Sequence, residues 1–201
     1  MDCEEKLYLL LSELKKALKG SDKELRKEVE RIVRRYYLRK RRKGDFELKA
    51  GNTYYLNDKS GKMAYKVLLQ ILNRGLPALC ITRLNPESLQ MKDYQNLEIY
   101  WLSSLPHKNA VAPSDLTKIY SIIASFIKKN DKATILLDGA ETIITNTDFR
   151  KTLNLLQRIR DLVSERKGIF VVPIDLNTLG EKERALFERE MMNEIPIKKS
   201  I

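Results

Sequence analysis

From residue 45 onward the chain alternates between two hydrophobic textures. Residues 53–57 (TYYLN), 77–82 (PALCIT), 97–103 (LEIYWLS), 134–139 (TILLDG) and 168–174 (GIFVVPI) are short, nearly continuous apolar runs. Runs of that length and composition predict strands buried on both faces. Between them the period changes to 3.6. Ala64, Val67, Leu68, Ile71 and Leu72 share one face over 62–73, with Gly75 placed to end that helix. Leu116, Ile119, Tyr120, Ile123 and Ile127 do so over 113–129, and Leu153, Leu156, Ile159, Leu162 and Val163 over 149–166. Shorter helices are predicted over 86–94 and 179–193. Strands alternating with amphipathic helices predict an α/β domain over 45–193: a five-stranded, mainly parallel sheet with helices on both faces. Residues 194–201 are expected to be a loose tail.

The first 44 residues read differently. Leu7, Leu10, Leu11, Leu14 and Leu18 line one face of a helix over 4–19 that Gly20 is placed to stop. Ser21 and Glu24 then have the spacing of a capping box. A second helix follows, with Leu25, Val29, Ile32, Val33 and Tyr36 on its apolar face. Two helices joined so closely form an αα-hairpin over 1–44. Its leucine stripe (Leu7, Leu10, Leu11, Leu14, Leu18) needs a cover, and a second copy of the chain would make a homodimer. Packing in cis on the α/β domain is the competing cover.

Charge sharpens the division. The net charge is +11, and residues 1–44 hold 15 basic and 8 acidic side chains, so the first fifth of the chain carries +7 of it. The excess concentrates in Arg31, Arg34, Arg35, Arg39, Lys40, Arg41, Arg42 and Lys43, with no acid among residues 31–43. Residues 39–43 are all basic and encircle the helix, so no orientation hides them. Their repulsion is relieved by an anion. Six of the eight are Arg, whose planar fork suits phosphate. Tyr36 continues the apolar face, whereas Tyr37 is a candidate to stack on a base or ribose. A membrane-surface helix would need bulky apolar residues opposite the charge, and only Tyr37 and Leu38 are available.

Catalytic patterns are scarce. The two cysteines, Cys3 and Cys80, fit neither a disulfide framework nor a zinc site, and Cys80 reads as a small core residue. The single histidine, His107, has no partner set and reads as solvated. Asp138 and Glu141 are a candidate carboxylate pair, with loop capping as the alternative. There is no nucleophile elbow, Cys/His pair or zincin pattern. No signal sequence or bilayer-length apolar run is seen, so a cytoplasmic location is expected.

Five blocks carry a resemblance: LKAGNTYYL (48–56), GLPALCITRLNP (75–86), YWLSS (100–104), ILLDGAETIITNTDF (135–149) and VVPIDLNTL (171–179). Together they resemble the archaeal domain family of unknown function 835, in order along the last three quarters of the chain. That resemblance implies a RecA-like or KaiC-like layout but no activity, and the basic hairpin lies outside it. The implied layout directs attention to LNDKSGKM (56–63), where Gly61 and Lys62 match a phosphate loop. Leu56 replaces its first Gly and Met63 its Ser/Thr, so the loop is degenerate, and a Met cannot ligate magnesium as a hydroxyl does. Asp138 ends an apolar strand as the magnesium-holding Asp of such folds would. The expectation is therefore no catalysis, no cofactor and no metal.

A basic hairpin on a non-catalytic domain suits structured RNA, which is read mainly by shape and phosphate geometry. The expected partner is the ribosome or a ribosomal subunit, with regulation of translation or subunit association as the role. A signalling or scaffold module that binds another protein is the competing reading, and a DNA-binding regulator is a third.

Overall fold

The computed structural model describes residues 46–89, 91 and 94–196, all within the second of two compact units that divide between residues 45 and 46. The expected hairpin, the basic stretch and the leucine stripe lie outside the described residues.

The described chain builds one sheet from β1 (Asn52–Asn57), β2 (Ala78–Thr82), β3 (Leu97–Leu102), β4 (Ala110–Val111), β5 (Thr134–Asp138), β6 (Ile169–Ile174) and β7 (Asn193–Glu194). Its order is β4-β3-β2-β5-β6-β1-β7, and every pairing is parallel. The helices are α1 (Lys62–Asn73), α2 (Leu116–Lys129), α3 (Ala140–Asn146), α4 (Phe149–Glu165) and α5 (Glu181–Met191).

The sheet is buried on both faces, and the two-residue period of a strand assigns side chains alternately to two cores. Tyr55, Leu79, Ile81, Ile135, Leu137, Phe170, Val172 and Ile174 point one way, into a core closed by α2, α3, α4 and α5. Tyr54, Leu56, Ala78, Cys80, Leu136, Ile169 and Val171 point the other way, onto Ala64, Val67, Leu68, Ile71 and Leu72 of α1. Phe46, Leu48, Met91, Tyr94 and Ile195 complete that second core. Each large aliphatic side chain so buried contributes roughly 1.5–3 kcal/mol. Helix ends follow local chemistry: Asp115 accepts from Lys118 N at 2.9 Å to open α2, and Asp148 from Lys151 N at 2.8 Å to open α4. On the outer surface Arg158 lies 3.9 Å over the Tyr120 ring, joining α4 to α2, and Arg160 pairs with Glu190, joining α4 to α5.

The α/β class, the parallel sheet and the helices on both faces stand as expected. The strand count does not: the sheet has seven strands, not five. The two additions, β4 and β7, are two residues each, too short to leave a period in the sequence. The helix expected over 86–94 is a single 3₁₀ turn, Pro86–Ser88. Asn85 caps it through Glu87 N, and Leu89 then turns extended, so that Leu89 and Met91, two residues apart, are both buried. Residues 194 and 195, expected in the tail, belong to the fold: Glu194 pairs in β7 and Ile195 N donates to Tyr55 O at 2.9 Å. No described helix is long and apolar enough to cross a membrane.

Candidate functional site at the carboxyl edge of the sheet

In a parallel sheet the loops that follow the strands gather along one edge, and ligands of such folds bind there. The strand register sets three side chains in a row at that edge. Thr82 of β2 is paired with Trp101 of β3 on one side and with Asp138 of β5 on the other. Paired residues of parallel strands face the same way, here toward α1.

Tyr65 of α1 covers Thr82 and Asp138. Its hydroxyl donates to Asp138 Oδ2 at 2.5 Å and lies 2.7 Å from Thr82 Oγ1. Thr82 Oγ1 also donates to Asp138 Oδ2, at 3.0 Å, and accepts from Leu84 N at 3.0 Å. Asp138 and Thr82 are buried, and these two hydroxyls supply the hydrogen bonds that make a buried carboxylate tolerable. Burial, and then the Asp138 charge, push the Tyr65 phenol far above its ordinary range. Burial pushes the Cys80 thiol up in the same way, so the core role expected of Cys80 holds and its sulfur is inert. Arg83 approaches from solvent, its Nε 3.9 Å from Asp138 Oδ1 and its side chain 52% exposed.

The turn after β1 reaches the same carboxylate. A Cβ on Gly61 would lie 4.0 Å from Asp138 Oδ1, so the phosphate-loop-like turn comes close to the strand-ending Asp. Gly61 holds φ +68°, which favours glycine. The turn, however, is filled by its own chain. Asp58 Oδ1 accepts from Ser60 N at 3.1 Å and from Ser60 Oγ at 2.8 Å, and Oδ2 accepts from Met63 N at 2.7 Å. Ser60 Oγ accepts from Lys62 N at 3.2 Å. At the start of the helix, the Met63 N–H is thus taken by the buried Asp58 carboxylate and the Lys62 N–H by Ser60 Oγ, where a phosphate would otherwise be received. Met63, in the magnesium-ligand position, packs against the α1-side core, and Lys62 is exposed.

Asp138 and Glu141 engage different partners. Glu141 Oε1 accepts from Asp175 N at 2.9 Å, while Asp138 is engaged by Tyr65 and Thr82. Asp175 in turn caps the 3₁₀ turn Leu176–Thr178 through Asn177 N at 3.1 Å. Among the described residues no three His, Cys, Asp or Glu side chains form a metal-sized cluster.

Sequence reasoning missed the role of two residues of this edge. Asp58 is one; its Asp-x-Ser spacing is that of an Asx turn, which would have announced the inward carboxylate. Trp101 is the other. Its indole Nε1 donates to Arg83 O at 3.2 Å, and its ring meets His107 edge-on, centroids 5.7 Å apart and planes at 85°. His107 is exposed, as expected, but it has a partner.

No curated protein matches the chain. A family described as a protein of unknown function (DUF835) matches residues 57–191, from the end of β1 to the end of α5, and the chain belongs to that family.

Proposed function

We propose that this protein is a non-catalytic RNA-binding protein that docks on structured RNA, with the ribosome or one of its subunits as target. The docking element is the basic stretch Arg31, Arg34, Arg35, Arg39, Lys40, Arg41, Arg42 and Lys43, with Tyr37 available to stack. The observation that carries the reading is the uncompensated charge of residues 1–44, +7 of a total of +11, ahead of a domain whose phosphate-loop-like turn is filled by Asp58. A homodimer joined through Leu7, Leu10, Leu11, Leu14 and Leu18 would present two such stretches to one large RNA and gain avidity. Bound there, the protein would regulate translation or subunit association by occupying a subunit surface.

Within this reading the domain is a catalytically silent relative of RecA-like or KaiC-like folds. Three features support that layout: the all-parallel sheet, the Gly61-Lys62 turn between β1 and α1, and the approach of that turn to Asp138.

The test is a sucrose gradient of cell extract with the wild type and with Arg39, Arg41, Arg42 and Lys43 all changed to Ala. The wild type is expected to travel with ribosomal material and the variant to stay at the top. If about five of the cations contact phosphates, affinity falls with salt at a log–log slope of roughly −3 to −5, and the variant flattens that slope. Equal sedimentation of the two proteins would overturn the assignment of the basic stretch and favour a protein-binding scaffold.

A further inference from the structure

Trp101 is the only tryptophan of the chain, and it belongs to neither hydrophobic core. Leu97 and Ile99, on the same face of β3, pack into the α1-side core, whereas Trp101, one step further, passes beyond that cover and is half-buried. Tryptophan joins a large apolar ring to one polar handle, and the part of the ring left uncovered at a strand end can take a ligand. The ring is also fixed in place. Its polar atom is satisfied by Arg83 O, and His107 abuts it, itself tied by Asn109 N to Nδ1 at 3.3 Å. What remains for a ligand is apolar π-surface on a rigid strand.

The surroundings select the ligand. The loop after β2 opens with Arg83, exposed, and reaches its first acid only at Glu87. The loop after β3, residues 103–109, contains exposed His107 and Lys108 and no acid. Asp138, two strands from Trp101 in the sheet and 3.9 Å from Arg83 Nε, is buried beneath Tyr65 and Thr82. Leu84 and Leu105, in the same two loops, are 39% and 61% exposed. Aromatic surface with cations beside it is the chemistry that holds single-stranded nucleic acid.

We propose that Trp101 and His107, flanked by Arg83 and Lys108, form a second RNA contact: an unpaired base stacks on the indole, and phosphates on either side pair with the two cations. The proposal rests on the RNA-binding reading but not on the basic stretch. It adds a preference for an unpaired nucleotide, since a base held in a duplex cannot offer its face.

Because Trp101 is the sole tryptophan, its emission reports the contact directly. The full-length protein is titrated with an unstructured uridine dodecamer and with a blunt RNA duplex of equal length. Binding is followed separately by anisotropy of labelled RNA. The dodecamer is expected to quench Trp101 and the duplex to leave it unchanged. Trp101→Ala is expected to weaken dodecamer binding about 5- to 150-fold, the range of one stacked base, with Trp101→Phe restoring most of it. The quadruple basic-stretch variant should still show the quench at higher RNA concentration. Dodecamer binding without quenching would overturn the second contact and leave the first intact. No binding of either RNA would overturn both. Loss of ribosomal co-sedimentation in Trp101→Ala with unchanged dodecamer affinity would make the platform a protein-facing surface and also overturn the proposal.

Discussion

The carboxyl edge of the sheet has two corners built from similar parts and finished in opposite ways. After β1 the chain makes a tight glycine turn into a helix, the arrangement that cradles phosphate elsewhere, and then fills it with the Asp58 carboxylate. After β2 and β3 the chain satisfies the polar atom of Trp101 from within but leaves the ring outside both cores. The first corner closes its donors against a ligand; the second offers surface to one. The parallel sheet thus gathers its strand-following loops along one edge, while individual hydrogen bonds decide which part of that edge is open.

The heaviest blow to both corners falls between them, at Gly139. Its φ is +148°, and a Cβ there would stand 2.7 Å from Leu102 Cδ2 and 3.9 Å from Arg83 Cβ. Gly139→Ala combines a strained backbone with overpacking and is expected to destabilise the domain by about 2–4 kcal/mol. Urea unfolding measures this, and a loss under about 1 kcal/mol would mean that the edge yields more readily than described. Next in size is Asp58→Ala, which removes the acceptor of Ser60 N, Ser60 Oγ and Met63 N. The expected cost is about 1–2 kcal/mol. Sulfate at tens of millimolar, on the order used to fill weak anion sites, should raise the Tm of the variant more than that of the wild type, since the vacated turn accepts an outside anion. Equal shifts would break the account of a self-filled cradle. Neither protein is expected to release phosphate from ATP or GTP.

The sheet's central strands were legible because burial on both faces writes an uninterrupted apolar run, and α1, α2 and α4 because each keeps a 3.6-residue stripe. Where one geometric rule did not dominate, the sequence was ambiguous. Residues 86–94 contain helix-compatible spacing, yet the Asn85 cap and the joint burial of Leu89 and Met91 select a 3₁₀ turn and an extended exit. α3 is seven residues long and is separated from α4 by only Thr147 and Asp148, so its pattern merges with its neighbour's. The degenerate loop was visible as Leu56 and Met63, but the reason it is closed, Asp58, is an arrangement of hydrogen bonds. Trp101 continues the alternation of Leu97 and Ile99; only the packed position of α1 reveals that the cover ends before it.

A smaller effect separates the corners by pH. Tyr65 is neutral under the Asp138 charge, and burial followed by that charge raises its pKa above the ordinary value of 10.0. Below pH 10 both the folded and unfolded states keep the proton, so the stabilisation is fully present. Above it the unfolded chain releases a proton that the folded chain retains, and stability falls as pH rises. One such group contributes a slope of at most about 1.4 kcal/mol per pH unit. The Cys80 thiol, raised by burial from 9.0, adds to the loss with the same sign. Tyr65→Phe should therefore lower stability at pH 7, by leaving Asp138 one donor short, and make the decline between pH 10 and 11, approximately the window just above a free phenol, shallower than in the wild type. Parallel curves for the two proteins would remove Tyr65 from the alkaline transition.

The smallest expected stability change belongs to Trp101, and its smallness is the point. Truncating a core aromatic to Ala costs about 3–5 kcal/mol, because a cavity opens where many atoms packed. Trp101 lies in neither core, so Trp101→Ala forfeits its edge contact with His107 and part of its burial on β3. An aromatic edge contact contributes about 0.5–1.5 kcal/mol, and the hydrogen bond to Arg83 O about 1 kcal/mol more. The carbonyl of Arg83, on an exposed residue, can take water in exchange, so the net loss should stay near 1 kcal/mol, roughly a third of the core value. Ile81→Ala, on the neighbouring strand and fully buried, is the control and is expected to lose about 2–5 kcal/mol. The two variants unfolded side by side in urea decide the matter. If Trp101→Ala loses as much as Ile81→Ala, the indole belongs to the packing of the fold and the contrast between a closed and an open corner disappears. If it loses a third as much, the largest side chain on this edge is held in place for something other than stability.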